Sequence, residues 1–259
     1  MKTATLPTAV LAVWSSLVCV SNAADFQVAT SIYRGNERSP VATYQTVFKG
    51  DKIYDVVMTP PRQVTIIDFS NGQITMLDPG QGQDTAVRTT MSTQDVLQHA
   101  TYFKQYGDLP SNPLWDFLKN PSFQTSYDPG TQVLKLSGDP LIYEADLQKI
   151  EDQPLADAYS QFCDWSAMLN FISMGSDLPQ ARMSLNAEVK SRGAVPTEVR
   201  KTIRNADPSK IVSLKSRHEY RWTLNVSDDK LIQSIEADLA KAKPVKFDAY
   251  IKRTSAAQK

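Results

Sequence analysis

"KIYDVVMTPPRQVTIIDFSNGQITMLDPGQGQD", residues 52–84, decides the fold. It holds strand-like pieces in which apolar and polar residues alternate, separated by turn residues. Pro60-Pro61 closes the first piece. "RQVTIIDF" follows, and Asn71-Gly72 is the strongest short hairpin signal in the window. "QITML" returns, and Asp78-Pro79-Gly80 ends it, with Pro presetting φ and Gly taking the strained position. From Thr65 to Asp84 the window also carries three aspartates, Asp68, Asp78 and Asp84, among its glycines. A calcium loop needs acidic oxygens at alternate positions and a closing Glu, and a phosphate loop needs Gly-Lys-Ser/Thr. Glutamines stand between Asp78 and Asp84, with no Glu and no Lys nearby. The stretch therefore reads as strands and turns.

Working outward, "DFQVATSIYRGNERSPVATYQTVFKG" alternates in the same way, with Gly35-Asn36 and Gly50-Asp51 at the breaks. After "DTAVRTT" the period changes. Ser92 is placed to cap a helix, with Asp95 as its capping-box partner. Val96, Leu97, Ala100, Phe103 and Tyr106 form its apolar face, and Gly107 ends it. A short helix follows Asn112-Pro113, then a hairpin around Asp128-Pro129-Gly130, then a strand at "PLIYEAD". Pro154 opens the longest helix, to about Met174, with Leu155, Ala158, Tyr159, Phe162, Trp165, Leu169 and Ile172 on one broad face. The next region reads as two or three long strands, with "LNAEVKSRG" open between strand and helix. Ser227-Asp228-Asp229 is expected to cap a last helix, "VKFDAYI" to form a final strand, and 253–259 to be a flexible tail. The expected fold is α+β: a curved antiparallel sheet, an incomplete barrel, with helices covering its open side.

The chain opens with Lys2, an apolar Val10–Val20 segment and Ser21-Asn22-Ala23. Those features predict a signal peptide over 1–23 and a mature start at Ala24 or Asp25, followed by one domain over 24–252. The expected location is periplasmic or secreted, with no later transmembrane span. Cys19 has Val18 before it, which fits lipoprotein processing poorly. Its removal leaves Cys163 alone, so no internal disulfide forms. Lys plus Arg and Asp plus Glu both number 28, which gives no basic excess to attract nucleic acid. "KSRGAVPTEVRKTIR" and "KSRHEYRW" are basic, but alternation on a strand reads first as the wet face of a sheet.

Little in the sequence carries catalysis. The two histidines, His99 and His218, form no H-E-x-x-H, and there is no C-x-x-C, so no metal site or cofactor is expected. Gly175-Ser176 lacks the nucleophile elbow. Cys163 borders the apolar helix face beside Asp164, a setting that gives no reason for a lowered thiol pKa. Glu151-Asp152 and Asp228-Asp229 read as helix N-terminal charge rather than a glycosidase pair. No catalytic residue is assigned.

Asn71-Gly72, Leu77-Asp78-Pro79 and Val195-Pro196-Thr197-Glu198-Val199 occupy places that match turn and strand signals of a known family. In this the chain resembles the periplasmic lipoprotein-carrier superfamily, the LolA and LolB proteins with their mycobacterial relatives, over about a third of the mature chain. The resemblance implies a strongly curved, incomplete barrel, plugged by helices and enclosing a cavity for acyl chains. It carries over no site residue, because no ligand-gripping arginine of that family matches a position here. The chain also resembles exported bacterial proteins more generally. The functional expectation is a carrier or binder of a lipid or other apolar ligand, with Tyr159, Phe162 and Trp165 lining its pocket. The alternative is a structural or interaction protein of the envelope that binds another envelope protein without catalysis.

Overall fold

The computed structural model describes residues 25–80, 85–102, 113–174, 178–204 and 211–257. The expected signal segment lies outside the described residues, as do Asp84, Phe103, Tyr106 and Gly107. In chain order the first elements are β1 (Phe26–Arg34), β2 (Ala42–Lys49), β3 (Lys52–Val57), β4 (Val64–Asp68), β5 (Gln73–Asp78) and β6 (Val87–Ser92). Then come α1 (Thr93–Tyr102), α2 (Pro113–Lys119), β7 (Gln124–Asp128), β8 (Val133–Ser137) and β9 (Leu141–Lys149). The remainder is α3 (Gln153–Met174), α4 (Pro179–Lys190), β10 (Ala194–Ile203), β11 (Val212–Arg221), α5 (Val226–Lys241), β12 (Lys243–Pro244) and α6 (Phe247–Ala257). No helix among the described residues is long and apolar enough to cross a membrane.

The strands form one twelve-stranded sheet in the order β12-β6-β5-β4-β3-β2-β1-β11-β10-β9-β8-β7. Every pairing is antiparallel except β12 with β6, and the sheet does not close into a barrel. The fold is α+β with an open, curved sheet, as the alternation and turn signals predict.

Over its described residues, the decisive window is three strands, β3, β4 and β5, and their turns. Asp68 accepts hydrogen bonds from Ser70 Oγ (2.7 Å), Asn71 Nδ2 (2.9 Å) and the Asn71 backbone N–H (3.0 Å). Gly72 then takes φ of +60°, which a side chain would strain. Asp78 holds the next turn by accepting from the Gly80 N–H at 2.8 Å, and Asp128 does the same for Gly130. Each of these carboxylates holds its own turn through a backbone N–H, the ordinary work of Asp in turns.

Cross-strand register assigns the two faces of the sheet. Phe48, Ile53, Ile67 and Ile74 are neighbours across β2 to β5 and share the inner face with Phe26 and Val28. They pack against Val96 and Ala100 of α1 and against Tyr159, Trp165, Met168 and Leu169 of α3. Further along this face, Leu134, Leu136, Tyr143 and Ala145 meet Leu118 of α2 and Ala181, Leu185 and Val189 of α4. The other face is not bare. Val47, Tyr54, Val56, Val64, Ile66 and Leu77 point there, and α5 covers them with Ile235, Leu231 and Leu239. The helices therefore do not all lie on the open side of the sheet.

Several local expectations are corrected. "LNAEVKSRG" takes its helical option through Lys190, and the stretch before it, expected as strand, is helical too, because Pro179 starts α4 and Ala181, Leu185 and Val189 recur at helical spacing. The cap of α5 is Asn225, whose side chain accepts from the Ser227 and Asp228 N–H groups. Asp228 is the capping-box partner: it accepts from the Asn225 N–H at 2.8 Å and from Gln45 Nε2 at 3.1 Å. "VKFDAYI" is not a final strand. Its apolar residues fit a period of two, but Phe247, Tyr250, Ile251 and Thr254 also fit a helix, and the chain takes the helical option as α6. Tyr250 is 1% exposed against Met76 and Val87, and Arg253 pairs with Asp78 at 2.7 Å. The expected flexible tail from 253 is thus helical as far as Ala257, with Thr254 buried.

Candidate functional site

The strands of the inner face do not stay buried along their length. β1 begins buried at Phe26 and Val28, but Thr30 and Ile32 keep accessible surface. β2, running the other way, is half-buried at Tyr44 and becomes buried at Thr46 and Phe48. Antiparallel register puts Thr30 opposite Tyr44, so both strands open at the same end. The reason is α3, which packs its aromatic residues onto one end of the sheet and leaves a void over the other.

That void is a cavity of about 420 Å³. It lies among strands β4, β3, β2, β1, β11, β10 and β9 and the facing sides of α3 and α4. Seven strands at ~4.8 Å spacing would spread over ~29 Å if flat. They reach one cavity because the sheet curves around α3. The volume falls in the range of about 300–1,000 Å³ usual for small-molecule sites.

Of the three residues expected to bind ligand, two stand on this wall and one does not. Tyr159 and Phe162 line the cavity, next to Leu169 one turn or more further along. Phe162 keeps one edge against Phe48, with ring centroids 5.6 Å apart and the rings nearly perpendicular. Trp165 lies to one side of that helix face. It is 9% exposed, belongs to the aromatic core and has its ring 6.4 Å from that of Phe69.

The apolar lining includes Ile32, Ile67, Leu178, Val199 and Leu214, but polar groups interrupt it. Asp55 lies on the inner face between Thr46 and Thr65, and its Oδ1 accepts from Thr46 Oγ1 at 2.7 Å. Burial raises its pKa to about 6, against the single opposing effect of that hydrogen bond. Lys201 alternates inward with Val199 and Ile203 on β10, opposite Tyr143 and Leu214. Burial lowers its pKa to about 8. Both side chains line the cavity, and burial is the largest cause of each shift.

His218 stands where the cavity meets the core. Its Nδ1 is 3.1 Å from both Thr30 Oγ1 and Tyr159 Oη, and its Nε2 is 2.9 Å from Ser216 Oγ. Burial first, and Arg182 second, push its pKa down to about 3, so the ring is neutral. Three hydroxyls satisfy both ring nitrogens, which is the mark of a positioned structural imidazole. His99, by contrast, is exposed on α1 with Nδ1 2.7 Å from the Asp95 carbonyl.

Arg182 of α4 also reaches the wall. Its Nε donates to Asn186 Oδ1 at 3.1 Å, and Asn186 in turn donates to Asp164 at 2.7 Å. The phenols of Tyr143 and Tyr159 and the thiol of Cys163 surround the guanidinium. Burial pushes the Cys163 thiol up, as its apolar position predicts, so it is a poor nucleophile. Cys163→Ala is expected to cost about 1–2 kcal/mol at most, the scale for trimming a small buried side chain. Urea denaturation would measure it, and binding of any ligand should survive. Loss of binding in a folded Cys163→Ala protein would reveal a role for the thiol.

The basic stretches divide between the two faces. Arg200 turns outward and is held by Glu144, Asp146 and Glu198 at 2.5–2.8 Å. Arg217 pairs with Glu198 at 2.8 Å. These residues form a charge lattice on the outer face. Lys201, one position along, points the opposite way. Sequence reasoning missed Lys201 and Arg182 as wall residues. The available signal was Lys201 itself, a charge in step with apolar Val199 and Ile203. No family model matches this chain, and no curated protein is similar enough to count as a relative.

Proposed function

We propose that this chain is an exported binder or carrier of a lipid or other apolar ligand, held between the curved sheet and α3. The observation that carries the reading is the cavity of about 420 Å³ on the inner face, at positions where Thr30, Ile32 and Tyr44 would otherwise be core. A packed interior leaves few voids larger than a water molecule. The resemblance to lipoprotein carriers points the same way, since it implies an open sheet with helices over an apolar cavity. The N-terminal Lys2, Val10–Val20, Ser21-Asn22-Ala23 series supports export to the periplasm or beyond.

The test is a melting curve of delipidated protein with and without a fatty acid and a single-chain phospholipid. At a hundred times Kd a ligand stabilises the native state by about 2.7 kcal/mol. For a domain of this size that corresponds to a rise of roughly 5–10 °C in Tm. An unchanged Tm across a lipid series of different chain lengths would overturn the reading.

A further inference from the structure

We infer that the ligand carries a protonated primary amine, seated on Asp55 between Tyr44 and Thr65 at the β2–β3–β4 end of the cavity. This rests on the binding reading above and specifies the head of its ligand. Among the residues lining the cavity, Asp55 is the carboxylate. Thr46 and Thr65 are its direct cross-strand neighbours, and Tyr44 lies two residues from Thr46 on the same face of β2. Thr46 Oγ1 donates to Asp55 Oδ1 at 2.7 Å. Among the described residues nothing donates to Oδ2, and no Lys, Arg or His pairs with the carboxylate. Burial first, and the Asp55 charge second, raise the pKa of Tyr44, so its phenol lies within the field of the carboxylate. Neither that phenol nor the Thr65 hydroxyl has a hydrogen-bond partner among the described residues, and both residues line the same void.

A buried charge is as a rule paired, and Asp55 is an exception that a ligand would remove. A primary ammonium has three N–H donors and no acceptor. Asp55 Oδ2, Tyr44 Oη and Thr65 Oγ1 offer it three acceptors on adjoining strands. A carboxylate or phosphate head would set like charge against Asp55 in a medium that screens poorly. A single hydroxyl has one proton to give and leaves the charge unbalanced. The cations of the wall stand elsewhere. Lys201 is on β10, which β2, β1 and β11 separate from β3. That is four strand spacings, or about 19 Å measured along the sheet. Arg182 is on α4 and is linked through Asn186 to Asp164. From the head, Ile67, the next inward residue of β4, leads to Phe162 and Leu169 of α3, surface suited to an alkyl chain.

The experiment uses the delipidated chain and four probes with one tail: dodecylamine, dodecyltrimethylammonium, dodecanol and laurate. Affinities are measured by calorimetry at pH 7.5, below the concentrations at which the probes aggregate. Dodecylamine is expected to bind at least about tenfold more tightly than dodecanol or laurate, given the strength of hydrogen bonds to charged groups. Dodecyltrimethylammonium carries the charge without an N–H, so it should fall at least about threefold behind dodecylamine. Asp55→Asn should narrow the gap between dodecylamine and dodecanol to under about threefold, because the charge is gone. An unchanged gap in the folded variant would place the amine elsewhere and overturn the inference. Equal affinity for all four probes, or a preference for dodecanol or laurate, overturns the amine head while leaving apolar binding standing. A quaternary probe that matches or exceeds dodecylamine overturns the three-acceptor seat. Binding of none of them overturns the binding reading itself. Should Asp55→Asn fail to fold, the probe series on the natural chain still decides.

Discussion

Trp165→Ala should lower the unfolding free energy by about 3–5 kcal/mol, the range for removing a large aromatic from a packed core. Phe162→Ala, three residues earlier on the same helix, should cost only about 1–2 kcal/mol, because a side chain at a cavity wall has fewer contacts to lose. Trp165 is 9% exposed and packed beside Phe69. Phe162 is half-buried, with Phe48 on one side and the cavity on the other. Ligand affinity should respond in the reverse order. Phe162→Ala should weaken laurate binding, while Trp165→Ala, measured well below its reduced Tm, should leave it near the natural value. Urea denaturation and calorimetry on the two variants check this. Equal destabilisation by both substitutions would mean that Phe162 is ordinary core and that the wall has been misplaced.

The second large effect is a gain. Asp55→Asn should raise stability at pH 7.5 by up to about 3 kcal/mol, since each pKa unit is worth about 1.4 kcal/mol. The folded-state pKa of Asp55 is about 6, above the ordinary 3.8. A raised carboxyl favours the folded state most when protonated, below pH 3.8. That advantage is lost as pH rises through 6, where the folded chain carries a desolvated carboxylate. The amide has no charge to desolvate, and its oxygen still accepts from Thr46. His218 works in the opposite sense. Its pKa falls from 6.5 to about 3, so the stability it contributes is complete above pH 6.5 and drains away as pH falls toward 3. In the natural chain the two slopes offset each other between pH 6 and 4. In Asp55→Asn the opposing slope of Asp55 is gone, and stability should fall more steeply over that window than in the natural chain. Denaturation midpoints at pH 7.5, 6 and 4.5 for both proteins test this. A variant no more stable than the natural chain at pH 7.5 would show that Asp55 is well solvated after all.

Much of the fold was legible because its signals are local. Asn71-Gly72 and Gly50-Asp51 mark turns through the backbone conformations that glycine permits, whatever the rest of the chain does. The Ser92–Asp95 box at the start of α1 is likewise settled within four residues: the Asp95 N–H donates to Ser92 Oγ at 3.0 Å and the Ser92 N–H to Asp95 at 3.2 Å. Residues 245–251 were misread because seven residues satisfy both periods, and what settles the matter is burial of Tyr250 against Met76 and Val87, far away in sequence. The site was half legible. The aromatic face of α3 was visible, but its division into core and wall depends on where the sheet curves away. Arg182 was hidden because its helix was left open to two readings. Thr30, Thr46 and Lys201 were the overlooked signals, polar residues in register with an apolar inner face.

An open sheet ends in two edges, and each edge has unsatisfied backbone groups that invite a strand from another molecule. Here both are poor templates. β7 is five residues long, and Gln124, Thr125, Ser126 and Asp128 are all exposed. At the far side, the Lys243 and Val245 N–H groups bond back to Ala86 and Arg88 of the sheet. The residue between them is Pro244, whose missing N–H is the one that would have faced outward. Unpaired strand edges expose a chain to cross-β pairing while it folds. The proline at one border and the short polar strand at the other make this chain a sheet that stops growing at twelve strands.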